Sequence, residues 1–130
     1  MRILAIGNSF SQDATRYLHK IARAAGEKLT VVNLYIGGCS LRTHYLNMLT
    51  DARKYTIVFN GVSTGFNTSL SEALASDEWD VITLQQASIN SGIYDTYTPY
   101  ITELAAYVRK YGAYRIYRAG RLLPLYLLSL

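Results

Sequence analysis

The stretch Ile3–Ser11, which reads Ile-Leu-Ala-Ile-Gly-Asn-Ser-Phe-Ser, decides the fold. Its first four residues are apolar and end at a glycine, as in a buried strand of a parallel sheet. A helical pattern begins soon afterwards, with Ser11 or Asp13 as its capping residue. Because ligands of open α/β sheets bind at the edge where the strands end, Ser9 is predicted to lie there as a candidate nucleophile.

Length and composition predict a single globular domain over residues 1–130, with residues 118–130 as an atypical tail. Half of the 130 residues are hydrophobic and 17% are charged, which excludes a disordered chain. Cys39 is the one cysteine, so no internal disulfide is expected. The chain opens directly on its first strand without a visible signal peptide, which predicts a cytoplasmic location by default.

The net charge of +4 does not predict a nucleic-acid partner, because the positive charge is confined to one end. Residues 1–103 carry eight Lys/Arg and nine Asp/Glu, whereas residues 104–130 carry five Lys/Arg and no acid. The body of the chain therefore lacks the basic surface that phosphate backbones need. No nucleic-acid binding is expected.

Further strands are predicted where β-branched and aromatic residues run together. The clear ones are Leu29–Ile36 and Trp79–Leu84. A hairpin that begins with Tyr55–Asn60 and a fourth strand over Ala113–Tyr117 are also predicted. Strands that alternate with helices predict an α/β fold with a mostly parallel sheet.

Helical spacing fills the segments between these strands. The first helix is predicted to stop at Gly26 and to bury an apolar stripe of Ala14, Tyr17, Leu18, Ile21, Ala22 and Ala25. Two short helices follow, one carrying Leu41, Tyr45, Met48 and Leu49 and one that starts at Ser69 or Ser71. A longer one covers Pro99–Tyr111, with Tyr100, Leu104, Tyr107, Val108 and Tyr111 facing inward. The final apolar run, Leu122–Leu130, contains a proline and is too short to span a membrane.

Three predicted strands end in small or polar residues, at positions 7–9, 37–40 and 85–88. In a parallel sheet these ends share one edge, although they are far apart in the sequence. They offer a hydroxyl, a glycine turn with backbone N–H groups and a side-chain amide. A nucleophile with an oxyanion hole needs these same groups, so the backbone N–H groups of Ser9 and Gly38 and the amide of Gln86 are the predicted donors.

The three segments Gly7–Ser11, Tyr35–Leu41 and Trp79–Ser88 resemble the conserved blocks of an uncharacterised branch of the SGNH/GDSL hydrolases. The resemblance covers roughly residues 1–117 and implies a flavodoxin-like three-layer αβα fold without a cofactor. It also implies hydrolysis of small esters, often acetyl groups on carbohydrates. Matched by position, Ser9 is the nucleophile and Gly38 the glycine of the second block, while Gln86, or Ser88 in a shifted alignment, replaces the oxyanion asparagine.

The chain departs from this family in its last block, which normally supplies an Asp and a His three residues apart. No Asp-x-x-His occurs, and neither residue type follows Glu103. The sequence therefore predicts a C-terminally truncated or frame-shifted member with impaired activity. An uncovered sheet edge is expected to promote self-association.

Other polar residues have two readings each. Asn8, His44 and Ser88 are expected to border the substrate cleft; packing and replacement of the missing base are the alternative roles of His44. Cys39 is either a thiol nucleophile or, as we favour, a small buried residue. His19 lies opposite the apolar stripe and is expected to be solvated, and no metal pattern is present.

Two further function classes remain open at the level of sequence. One is a non-catalytic module that binds a small polar ligand or a sugar in the same cleft. The other is a phosphate or nucleotide binder that uses the helix start after Ser9 as an anion site.

Overall fold

A computed structural model describes residues 1–119 and 126–129, and side chains as far as residue 111. The described strands are β1 Arg2–Gly7, β2 Thr30–Tyr35, β3 Tyr55–Phe59, β4 Val62–Thr68, β5 Val81–Leu84 and β6 Tyr126–Ser129. They form one mixed sheet of order β4-β3-β2-β1-β5-β6. Strands β2, β1, β5 and β6 run parallel to one another, whereas β3 is antiparallel to β2, and β4 is antiparallel to β3. The prediction of an α/β fold is confirmed.

Helices pack on both faces of this sheet. They are α1 Ser9–Thr15, α2 Leu18–Ala24, α3 Leu41–Thr50, α4 Leu70–Ser76 and α5 Tyr100–Ala119. On β2, Asn33 bonds to Ser11 of α1, while its neighbour Leu34 packs into the core beside α3, α4 and α5. Because successive strand residues point to opposite faces, α1 and α3–α5 lie on opposite sides.

The main hydrophobic core lies between the sheet and α3, α4 and α5. It contains Leu4, Ile6, Leu34, Ile82 and Leu84 from the strands and Leu41, Leu70, Leu74, Leu104 and Val108 from the helices. The inward face predicted for the long helix is confirmed, because Tyr100, Tyr107 and Tyr111 pack against this core.

The first helix differs from its prediction in two ways. Its capping residue is Asn8, whose side chain accepts a hydrogen bond from the backbone N–H of Phe10. The helix also breaks at Arg16 and Tyr17 into α1 and α2, and α2 buries none of its residues, so the predicted inward stripe is wrong. The turn between β3 and β4 approaches the chain at this break, where Gly61 packs directly against the backbone of Arg16.

Most other elements agree with the sequence, with one clear exception. The hairpin is present as β3 and β4, and Ser69 caps α4. The strand expected over Ala113–Tyr117 is wrong, because α5 continues through it to Ala119. Apart from β6, the apolar run at Leu122–Leu130 lies outside the described residues.

Two strands, β4 and β6, form the edges of the described sheet. Self-association through an edge stays a prediction. Among the described helices, none is long and apolar enough to cross a membrane.

Candidate functional site

Three strand ends lie side by side at one edge of the sheet. The backbone N–H of Gln85 donates to the carbonyl oxygen of Ile6 at 3.1 Å, and that of Ile36 to the carbonyl of Gly7 at 3.5 Å. The ends of β5 and β2 therefore flank the end of β1. Segments 7–9, 37–40 and 85–88 meet as the sequence predicts.

Asn8 ties these three ends together through every polar atom of its side chain. The amide nitrogen donates to the carbonyl oxygen of Cys39 at 3.0 Å and to that of Gln86 at 3.1 Å. The amide oxygen accepts from the N–H of Phe10 at 3.1 Å, which caps α1. Asn8 is buried, so the predicted contact with substrate is wrong and its role is to hold the site together.

Ser11 fixes the first turn of α1 on the sheet. Its hydroxyl oxygen lies 2.9 Å from Oδ1 of Asn33 and 3.1 Å from the carbonyl oxygen of Asn8. Gly7 packs so closely against Ser11 that a side chain at position 7 has no room. Glycine at the end of β1 thus lets the turn that carries Ser9 approach the strand.

Ser9 is exposed at the first position of α1, immediately after the buried Asn8. Within the described residues, its backbone N–H, its hydroxyl and the backbone N–H of Gly38 make no hydrogen bond. Gly38 is exposed and has a φ of 64°, a conformation that glycine adopts without strain. Two unpaired backbone donors thus accompany a free hydroxyl at the same edge.

The amide of Gln86 is committed elsewhere. Its oxygen accepts from the N–H groups of Leu41 and Ala87, both at 2.9 Å. Its nitrogen donates to the carbonyl and hydroxyl oxygens of Thr96, both at 3.2 Å. Since both of its hydrogens are engaged, Gln86 is not the oxyanion donor that we predicted, and it joins β5 to α3 and to the following loop.

Ser88, the substitute considered for Gln86, lies at the start of that loop. Its side chain is exposed, and its hydroxyl makes no hydrogen bond to the described residues. Ser88 therefore remains available as a donor at this edge.

His44 lies on α3 and is fully buried. Its Nδ1 lies 2.9 Å from the hydroxyl of Tyr55 and 3.5 Å from Sγ of Cys39, and its ring stacks on Tyr55. Burial lowers the pKa of His44 from 6.5 to about 4, so the ring is neutral at pH 7. Both the predicted substrate contact and the alternative role as a replacement base are wrong, because solvent and substrate cannot reach the ring.

Cys39 and His19 complete the nucleophile and base candidates. Burial raises the pKa of the Cys39 thiol to about 12, so it stays protonated, as expected for a small buried residue. His19 on α2 is half-buried rather than solvated, and its Nδ1 lies 2.6 Å from the carbonyl oxygen of Leu29. Neither histidine of the chain reaches Ser9 as a base.

No group of residues able to hold a metal ion occurs in the described part of the chain. A separate cavity of about 390 Å³ opens between α4 and strands β2 and β3, walled by Val32, Ile57, Phe59 and Trp79. None of the strand-end residues lines it.

Thr96 is a site-building residue that sequence reasoning missed. It receives the amide of Gln86 from ten residues away, and no local pattern marks it. The hydrogen bonds by which Asn8 joins the three strand ends were also missed. An asparagine directly before a helix is a signal of a capping residue, and this signal could have identified Asn8 as the cap of α1.

The chain matches the family model described as "Domain of unknown function (DUF4886)" over residues 2–116. It is 42% identical, with a TM-score of 0.79, to a solved structure of a DUF4886 family protein from Bacteroides uniformis. The match covers 85% of this chain and 44% of that one, so the chain spans less than half the length of this relative. A comparison with curated proteins gives no match. The chain belongs to the DUF4886 family.

Proposed function

We propose that this domain is an acyl hydrolase of the SGNH type, with Ser9 as its nucleophile. One observation carries the proposal: the hydroxyl of Ser9 shares a sheet edge with two backbone donors, its own N–H and that of Gly38, and none of the three has a hydrogen-bond partner among the described residues. Such donors stabilise the negative charge that develops on a carbonyl oxygen under attack. The similarity of the three strand-end segments to SGNH blocks supports the same reading.

The reaction converts an ester and water into a carboxylic acid and an alcohol. Ser9 Oγ forms a bond to the ester carbonyl carbon, the C=O π bond opens, and the hydroxyl proton passes to a base in solution. The N–H groups of Ser9 and Gly38 bind the resulting oxyanion. The tetrahedral intermediate then expels the alcohol, which takes up a proton. Water cleaves the acyl-serine and releases the acid. Ser88 is proposed as a third oxyanion donor.

The general base is the part that neither histidine of this chain supplies. His44 is enclosed in the core, and the ring of His19 is hydrogen-bonded to the backbone carbonyl of Leu29. Without a triad base, hydrolases retain only the contribution of the oxyanion hole and binding, roughly 10³–10⁴-fold over water. We therefore expect slow hydrolysis by the chain alone, and hydrolysis that depends on Ser9 once a base is supplied in solution.

The order β2-β1-β5-β6 of the parallel strands supports a flavodoxin-like topology, in which ligands bind where the strand order reverses. That point is the end of β1, which carries Asn8 and Ser9. An acetylated carbohydrate is the substrate class that the SGNH resemblance favours.

Chemical rescue tests this proposal. Imidazole added at increasing concentration is expected to raise the hydrolysis of p-nitrophenyl acetate by the wild-type chain, because it supplies the base in solution. Ser9→Ala should abolish the increase beyond imidazole's own rate. Ser63→Ala, at an exposed serine on β4, is the matched control and should behave as wild type. Equal rates for wild type and Ser9→Ala at every imidazole concentration would rule out the proposed nucleophile.

The lack of a reachable base also supports a second function, a non-catalytic module that binds a sugar or a small polar ligand at the same edge. In that case, calorimetry should detect binding of an acetylated xylo-oligosaccharide that Ser9→Ala leaves unchanged. The oligosaccharide should be recovered intact.

A further inference from the structure

The loop that follows β5, residues 88–97, has a fixed shape because it is bonded to itself. Backbone N–H groups of Asn90 and Ile93 donate to the carbonyls of Ala87 and Asn90, each at 3.0 Å. The Thr96 hydroxyl lies 2.6 Å from the carbonyl oxygen of Ile93, and the Tyr97 hydroxyl donates to Ser91 at 3.0 Å. Such a loop needs little ordering when it binds a ligand.

This preformed loop holds three large apolar side chains in solvent. Ile89 is 80% exposed, Ile93 52% and Tyr94 81%. Single exposed apolar residues are ordinary on protein surfaces, but a group of them on one ordered loop suggests a binding surface.

The loop is tied to the turn that carries Ser9. Gln86 donates to Thr96 near the end of the loop, and its own carbonyl oxygen accepts from Asn8, the residue before Ser9. Phe10, which follows Ser9, is 56% exposed. Four exposed apolar side chains thus belong to the segments that flank the nucleophile.

The same edge carries no cation. Residues 7–12, 36–41 and 85–97 contain no Lys or Arg, and their one acidic residue is the exposed Asp95. An anionic ligand such as a phosphate would therefore meet no cation here. The charge of the edge thus disfavours an anionic ligand, and the exposed apolar side chains favour an apolar one.

We infer that the 88–97 loop, with Phe10, binds an apolar acyl group of several carbons in the ester that Ser9 attacks. This inference rests on the proposed function, and it replaces the acetyl group that the SGNH resemblance favours by a longer acyl group. The loop makes the site selective for medium-chain acyl esters over acetyl esters.

The first test compares p-nitrophenyl octanoate with p-nitrophenyl acetate in the presence of imidazole. We expect kcat/KM to favour the octanoate by about tenfold or more, since each added methylene in an apolar site raises discrimination. The double variant Ile89→Ser/Tyr94→Ser should reduce this ratio several-fold. Ile21→Ser, at an exposed isoleucine on α2, should leave it unchanged. A ratio at or below one, or one that the double variant does not alter, overturns the inference.

A second test does not depend on turnover. Hexanamide and acetamide are neutral amides that an esterase does not readily hydrolyse. Their binding can therefore be followed through the chemical shifts of the protein's backbone amides. We expect hexanamide to shift the signals of residues 88–97 and Ser9, and acetamide to shift them far less at equal concentration. Binding of hexanamide without any Ser9-dependent hydrolysis supports the apolar site and overturns the esterase. Hydrolysis without a hexanamide response at this loop supports the esterase and overturns the apolar site.

Discussion

Asn8 donates its side-chain amide to the backbone carbonyl of Gln86 across 3.1 Å, and this bond joins the ends of β1 and β5. A second hydrogen of the same amide goes to Cys39 at the end of β2. Both partners are acceptors, so position 8 requires a donor.

Replacing Asn8 by aspartate should therefore destabilise the fold. The carboxylate of Asn8→Asp would face two carbonyl oxygens in a buried site, and we expect a loss of about 3 kcal/mol in the free energy of unfolding. Protonation relieves the repulsion, so the loss should shrink as the pH is lowered. Urea titrations at several pH values measure it. Asn67→Asp, the same change at an exposed asparagine, should have little effect.

Gln86→Glu separates the hydrogen bonds that the Gln86 side chain accepts from those that it donates. The carboxylate can still accept from Leu41 and Ala87, but it cannot donate to Thr96. Amides of residues 88–97 should then exchange with solvent faster than in wild type. Gln12→Glu on α1, where the side chain makes no hydrogen bond to the described residues, is the control for added charge. Unchanged amide exchange in this loop would show that the loop does not need the hydrogen bonds from Gln86 to Thr96 for its stability.

The close approach of Gly61 to Arg16 can be measured with a pair of glycine variants. Gly61 and Gly65 both have positive φ, 84° and 71°, but only Gly61 lies against backbone, whereas Gly65 faces open space. We expect Gly65→Ala to cost about 1 kcal/mol from conformation alone and Gly61→Ala about 3 kcal/mol, because the added methyl group also meets Arg16. Equal costs in urea unfolding would contradict the contact.

His44 should make the stability of the fold depend on pH. The folded chain keeps this ring neutral down to about pH 4, whereas the unfolded chain protonates it near pH 6.5. Between these values the unfolded state binds more protons, so the free energy of unfolding falls as the pH is lowered, by up to about 3 kcal/mol. His44→Gln removes the titrating group, and the slope between pH 6.5 and pH 4 should flatten in that variant.

The Cys39 thiol should be inert in the folded chain. Because burial raises its pKa to about 12, almost no thiolate exists at pH 8. A colorimetric disulfide reagent should therefore react with it only after urea is added. Ser63→Cys places a second thiol on the exposed strand β4, and that thiol should react at once. Rapid loss of two thiols from this variant without urea would contradict the buried position.

The sequence predicted those features that local pattern controls. The strand that ends at Gly7, the hairpin and the inward face of α5 follow from apolar periodicity and turn residues. The break between α1 and α2 lies where Gly61, which is far away in the chain, packs against Arg16, and periodicity alone predicted one continuous helix. At 113–117 the pattern was too short to reveal that α5 continues.

The site shows the same division. Register in a parallel sheet is enough to bring Ser9, Gly38 and Gln86 to one edge. The direction in which each side chain points depends on which groups need a partner there. Thr96 and the N–H of Leu41 claim the amide of Gln86, and Tyr55 holds His44 in the core. None of these partners is adjacent in sequence, so the roles of Gln86 and His44 could not be predicted.

The hydrogen bonds of Asn8 also link ligand binding at the Ser9 edge to the thermal unfolding of the domain. Because its side chain joins three segments that are distant in the chain, the edge that carries Ser9 cannot separate while β1, β2 and β5 remain paired. A ligand that binds this edge therefore binds the folded state alone and raises Tm with its concentration. Thermal shift thus becomes a direct way to search for the natural ligand, even in a variant that does not turn it over.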